Sequence, residues 1–207
     1  MSLVTRWWWV RHAPVINHGG RIYGRLDVDC DTTDSAPFLA LAAALPSHPV
    51  WLATPLRRTR QTLAAILAAR GNESVTPILE PNLMEQDFGA WQGLTHAEVS
   101  QQRGGEAHRF WISPATERPE GGESFADVAA RVAPTVTRLS EQYAGQDVVA
   151  VAHGGVIRAA LAQALDLPPE IALRFSVFNL SLTRLDHIVP DDGGPAVWSV
   201  VSVNVGC

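Results

Sequence analysis

Two short apolar runs, each closed by a histidine, constrain this chain most. Leu3 to Val10, interrupted by Thr5 and Arg6, runs into Arg11-His12, and Val148 to Ala152 runs into His153-Gly154-Gly155. Apolar runs of this length read as buried strands, and in open α/β sheets ligands collect outside the carboxyl ends of the strands. Two imidazoles and a guanidinium at two strand ends therefore point to one shared site.

The rest of the chain alternates short β-like segments with longer helical ones. Strands are expected over 3–10, 49–54, 76–80, 147–152, 180–186 and 197–204. Helices are expected over 33–45, over 57–70 with Gly71 closing it, over 128–143 from a start after Ser124, and over 154–165. Pro134 should begin a turn or kink the third of these. Such alternation implies βαβ units and a mostly parallel sheet covered on both faces, an α/β fold of three-layer α/β/α form. At 207 residues and 46% hydrophobic content the chain can bury one core, so 1–207 is expected to be one domain. Residues 84–123, rich in Gly, Trp, His and charge, break the alternation, and 84–145 is expected to form a helical excursion over the site. Asp191 to Pro195 reads as a hairpin loop.

Composition narrows the chemistry. A net charge of -5 leaves no broad electrostatic footprint for nucleic acid. All 16 cationic residues are arginine. The absence of lysine excludes Schiff-base and PLP attachment and a Walker-type phosphate lysine, while arginine binds phosphate oxygens bidentately. Cys30 and Cys207 form neither a disulfide framework nor a metal spacing. No stretch approaches the roughly 20 apolar residues of a membrane span, and no signal peptide opens the chain. The expectation is a cytoplasmic protein without nucleic-acid or membrane partners; a homodimer is compatible with the sequence.

Several segments carry candidate chemistry. Arg57, Arg58 and Arg60 fall in the first turn of a helix, where cations oppose the macrodipole unless an anion offsets them. Arg58, turned away from the other two, is the better anion ligand. Glu85 and Asp87 place two carboxylates after the third strand. Pro119 to Phe125 is a loop feeding a helix, with Glu123 or Ser124 as its cap. The helix that begins at Gly154-Gly155 brings backbone N–H donors and a positive dipole end beside His153.

Taken together, Arg-His after the first strand, Thr-Pro-Leu-x-Arg-x-x-Gln-Thr after the second, Glu-x-x-Phe-Gly-x-Trp-x-Gly after the third, Gly-Gly-Glu-Ser-Phe and finally Ala-His-Gly-Gly-Val-Ile-Arg resemble the histidine phosphatase superfamily, also called phosphoglycerate mutase-like. The resemblance runs from about residue 6 to residue 160. It implies that His12 is the nucleophile, that Arg11, Arg58 and His153 hold the phosphate, and that Glu85 is the proton donor. Neither a cofactor nor a metal is implied, since arginines supply the positive charge. The chemistry agrees, because an imidazole attacks phosphorus only when neutral and adjacent guanidiniums favour that form.

The sequence departs from the common family pattern where Ala13-Pro14 follows the Arg-His pair, since proline removes one N–H from the phosphate loop. Thr54 replaces a common serine and keeps the hydroxyl. Phe88 to Gly93 resembles the phosphatase branches, and Arg21 to Asp27 is similar to a Tyr-Gly-x-x-Asp stretch of alpha-ribazole phosphatases. The implied function is hydrolysis of a small phosphate ester, such as alpha-ribazole phosphate, by a bacterial phosphomonoesterase. Mutase activity and a catalytically idle phospho-ligand module are the alternatives. Tyr23 and Arg25 are expected to touch substrate, and Trp91 and Trp111 either line the pocket or form lid core. His18, His48, His96, His108 and His187 show no ligand spacing and read as surface or core residues.

Overall fold

The computed structural model describes residues 2–105 and 113–206. His108, Trp111 and Cys207 lie outside the described residues. A six-stranded sheet has the order β3-β2-β4-β1-β5-β6, built from β1 (Leu3–Arg11), β2 (Val50–Ala53), β3 (Ile78–Leu79), β4 (Asp147–Ala152), β5 (Leu182–Val189) and β6 (Val197–Val205). The pairs β1/β4, β2/β4 and β2/β3 are parallel, so these four strands end at the same edge. The pairs β1/β5 and β5/β6 are antiparallel, and the expected hairpin loop around Asp191–Pro195 joins β5 to β6.

Strand alternation sorts the core into two layers. Trp7 and Trp9 of β1, with Val148, Ala150 and Ala152 of β4, face α4 (Phe125–Gln142), α5 (Gly154–Ala164) and α6 (Pro169–Ala172). Val10 of β1, with Val149 and Val151 of β4, faces α1 (Ala36–Ala44) and α2 (Arg57–Ala69). The three-layer α/β/α expectation is met. Trp7 and Trp9 stack with ring centroids 4.8 Å apart, and the Trp7 indole N–H donates to Ser140 Oγ at 2.8 Å, tying the strand to α4.

Two local readings change. α4 runs through Pro134 without an intervening turn, capped by Ser124 and Asp127 in a capping box. Burial of Val128, Val132, Val136 and Leu139 outweighs the one hydrogen bond that proline removes. The third strand shrinks to Ile78–Leu79, because it is a sheet edge with only β2 to pair against. The 84–145 stretch also divides in two. Its first part holds a 3-10 turn at Gly89–Trp91 and α3 (His96–Gln102), whereas α4 packs on the sheet. A satellite cluster of Ile22, Phe88, Trp91 and Val99 joins that first part to the loop after β1. Trp91 is thus excursion core. Among the described residues no helix is long and apolar enough to cross a membrane.

Since Trp7 is fully buried, Trp7→Ala is expected to lower unfolding free energy by about 3–5 kcal/mol. Urea denaturation checks this, and a loss below about 1 kcal/mol would contradict the packing described.

Candidate active site

The parallel strands deliver their following residues to one place. Arg11 pairs with Ala152 in the β1/β4 register, and the His12 N–H donates to Ala152 O at 3.0 Å. His12 and His153 therefore stand side by side, their ring centroids 5.3 Å apart. The side-chain amide of Asn179 donates to His12 O at 2.7 Å and holds the strand end.

His12 is 1% exposed, and its Nδ1 lies 2.7 Å from Ala13 O. A carbonyl only accepts, so Nδ1 carries the proton and Nε2 keeps the lone pair of the neutral ring. Burial, then the charge of Arg58, pulls the His12 pKa well below its ordinary value; the Ala13 carbonyl opposes this and Arg11 adds to it. His153 is lowered in the same way by burial, then by Arg58, His12, Arg11 and Arg131. Its Nε2 is 2.9 Å from Thr54 Oγ1, which in turn lies 2.9 Å from Thr59 Oγ1. The hydroxyl kept at Thr54 thus orients the second imidazole.

Two guanidiniums flank the histidines. Arg58 is fully buried and donates to Gly24 O at 2.6 Å and Leu26 O at 2.9 Å. Arg11 donates to Val177 O at 2.5 Å. Arg11 Nε, Arg58 Nε and His153 Nδ1 are each buried without a hydrogen-bond partner. Buried polar groups left unmade are costly, and three of them beside one neutral imidazole form a socket suited to an anion. The other first-turn arginines behave differently. Asp27 accepts the Arg57 backbone N–H at 2.6 Å and Asp29 pairs with its guanidinium at 2.6 Å, so the loop after β1 itself supplies anions at this helix start.

Glu85 sits on the amino end of α5. Its Oε2 accepts the Gly155 N–H at 3.3 Å, and its Oε1 accepts the Gln86 N–H at 3.0 Å. A Cβ at position 155 would run into Oε1 and lie 3.4 Å from Cδ, so a larger residue there would displace the Glu85 carboxylate. Gly154 is flanked by Arg11 Nε and Arg158 Nη1, 3.6 and 3.1 Å from where its Cβ would be. Arg158 donates from Nε to Phe175 O at 2.8 Å. Burial pulls its pKa down to about 10, against the pull of Glu85 and with the repulsion of Arg11.

A cavity of about 340 Å³ opens over this group, lined by Arg11, Glu85, Tyr23, Gly24, Phe88, His18, Arg21 and His96 among others. The Tyr23 ring is 6.2 Å from that of His12 and 5.0 Å from the Arg58 guanidinium carbon. Arg25 is not part of the lining. Its guanidinium bonds Glu123 Oε1 at 3.0 Å and Glu85 O at 3.2 Å. His18 and His96, which read as surface or core residues, line the cavity instead. They were hidden because cavity lining follows from how two loops meet, and neither histidine has sequence neighbours that mark it.

Residues 7–202 match the model of the histidine phosphatase superfamily (branch 1). The chain belongs to that family. It is 38% identical over 194 residues to a glucosyl-3-phosphoglycerate phosphatase of Mycolicibacterium vanbaalenii, covering 88% of this chain and 84% of that protein. The solved native structure of mycobacterial glucosyl-3-phosphoglycerate phosphatase superposes with a TM-score of 0.82 at 32% identity, covering 98% of this chain and 99% of that one. A putative alpha-ribazole-5'-P phosphatase of Escherichia coli shares the fold, with a TM-score of 0.76 at 23% identity over 97% of each chain.

The buried, neutral imidazoles predict a pH dependence. The folded pKa of His12 and of His153 lies below the unfolded value near 6.5, so above about pH 6.5 both states are neutral and neither ring contributes a slope. As pH falls below the unfolded pKa, only the unfolded chain takes up protons. Each ring then removes stability at up to about 1.4 kcal/mol per pH unit until its folded pKa is reached. Denaturation midpoints measured from pH 7.5 to 5 should drop, and His12→Asn with His153→Asn should flatten the drop. An unchanged slope in that variant would contradict the burial argument.

Proposed function

We propose that the chain is a phosphomonoesterase that needs no metal and works through a phosphohistidine at His12. The observation that carries this reading is the socket itself: Arg11 Nε, Arg58 Nε and His153 Nδ1, buried and unpartnered, around an imidazole with a free Nε2. A phosphoryl group offers acceptor oxygens to all three nitrogens, and its phosphorus faces the lone pair.

In the first half-reaction His12 Nε2 attacks phosphorus, the P–O bond to the alcohol breaks, and Glu85 protonates the leaving oxygen. In the second, Glu85 takes a proton from water as the water oxygen attacks phosphorus and the P–N bond breaks, releasing inorganic phosphate. Arg11 and Arg58 offset the charge on the transferring group. Glu85 lines the cavity beside Arg11 and Tyr23 and rests on the amino end of α5, so in this reading one carboxylate serves both steps. Glu85 lines the cavity together with Tyr23, whose ring lies 6.2 Å from that of His12, which weighs against an idle binding module.

For substrate, the relatives favour a phosphorylated sugar–glycerate compound over alpha-ribazole phosphate. The glucosyl-3-phosphoglycerate phosphatase relatives align at 38% identity, whereas likeness to the alpha-ribazole enzyme at 23% supports the fold alone. The cavity suits such a ligand. His18, Arg21 and His96 line it beside the apolar faces of Ile22 and Phe88, offering both polar and stacking surface to a sugar acid.

His12→Ala is expected to cut turnover of 4-nitrophenyl phosphate by at least about 10³-fold, while a chelator leaves the wild-type rate unchanged. In a panel of phosphorylated metabolites, glucosyl-3-phosphoglycerate should give a higher kcat/KM than alpha-ribazole phosphate. Retained activity in His12→Ala would sink the mechanism, and the reverse ranking would sink the substrate assignment.

A further inference from the structure

The turn that carries Glu85 lies between two 3-10 turns, Pro81–Leu83 and Gly89–Trp91, and no sheet hydrogen bond holds it. What fixes it is a pair of guanidiniums converging on one carbonyl. Arg25 Nε and Arg131 Nη2 both donate to Glu85 O, at 3.2 and 3.1 Å. Two cations beside the backbone of a catalytic carboxylate would compete for that carboxylate, or for a phosphate, unless another anion engages them.

Glu123 is that anion. Its Oε1 accepts from Arg25 Nη2 at 3.0 Å and from Arg131 Nε at 2.9 Å, and its Oε2 accepts from Arg131 Nη2 at 3.1 Å and from the Asp87 N–H at 3.0 Å. The main chain of Glu123 joins the same turn, its N–H donating to Asp87 O at 2.7 Å and its carbonyl accepting from Gln86 Nε2 at 2.7 Å. Arg131 Nη1 reaches further back, to Asn82 O at 2.6 Å. Burial pushes the Glu123 carboxyl upward, but the hydrogen bonds from Arg131 and Asp87 and the charges of Arg131 and Arg25 outweigh it and hold it below the usual carboxylate range. Its four donors match the four lone-pair sites of an ionised carboxylate.

We propose that Glu123, through Arg25 and Arg131, is a positioning residue that locks the backbone of Glu85 and so aims its carboxylate at the leaving oxygen, joining the loop after β1 to proton donation. This rests on the reading of Glu85 as the proton donor. The capping assignment expected for the Gly-Gly-Glu-Ser motif falls to Ser124 alone, which frees Glu123 for this task. Glutamine at 123 is the informative change, because it keeps the shape but turns one acceptor oxygen into an NH2 group facing arginine and backbone N–H donors.

The test uses leaving groups. An alcohol of high pKa needs protonation to depart, and 4-nitrophenolate does not. The readout is kcat/KM, which reports steps through departure of the leaving group only. Glu123→Gln is expected to lower kcat/KM about 10- to 100-fold for an alkyl phosphate such as glycerol phosphate, within the range of general acid catalysis, and less than about 3-fold for 4-nitrophenyl phosphate. Glu85→Gln should show the same selectivity more strongly, and the double variant should be no worse than Glu85→Gln alone. Arg25→Gln, which removes one donor to Glu85 O and leaves the Arg131–Glu123 pair, should shift the ratio in the same direction by less, and it keeps the test alive if Glu123→Gln does not fold. Equal losses on both substrates, or a multiplicative double variant, would overturn the positioning role. If Glu85→Gln itself shows no leaving-group selectivity, the reading of Glu85 fails and the proposal falls with it.

Discussion

The parallel pairing of β1 with β4 is the constraint on which the site depends. Register alone, with Arg11 opposite Ala152 and the His12 N–H on Ala152 O, sets two histidines from distant parts of the chain side by side. Side chains alternate between faces, and β1 buries Trp7 and Trp9 on one face and Val10 on the other, so a slip of one residue would turn Trp7 and Trp9 out of one core layer and Val10 out of the other. The hydrophobic alternation that stabilises the fold is therefore also what aligns His12 with His153.

Electrostatics then assigns roles to residues that packing has brought together. Burial and the Arg58 charge hold His12 neutral, and its Nδ1–H is tied to Ala13 O, so the free lone pair can only be on Nε2. The cations are kept apart by separate anchors: Arg11 on Val177 O, Arg58 on Gly24 O and Leu26 O, and Arg158 on Phe175 O. The anchors of Arg11 and Arg58 are backbone carbonyls rather than carboxylates. These two guanidiniums thus keep their charge available to an anion, while Glu85 keeps its carboxylate on the amino end of α5.

Much of this was legible in the chain because it is local. A cation and an imidazole directly behind an apolar run mark a strand end, and Gly154-Gly155 marks a helix start close to that end. The contact across the second glycine was not legible: Glu85 lies against Gly155 although the two are 70 positions apart. Glu123 is a similar case, since it meets Arg25 across 98 positions and local pattern offered only a helix cap. Arg25 was expected at substrate for its place in the loop, yet its guanidinium bonds Glu123 and the Glu85 carbonyl. Pro134 shows the opposite case, a local turn signal overridden by burial of the α4 face.

In the proposed reaction His12 Nε2 forms a bond to phosphorus. Rapid acid-free quenching of wild-type protein with a 32P-labelled phosphate ester, followed by peptide mapping, tests it directly. Transient label that is stable to alkali, lost in acid and carried by His12 is expected. Hydrolysis proceeding under the same conditions without covalent label at any time point, or with label on another residue, would contradict it.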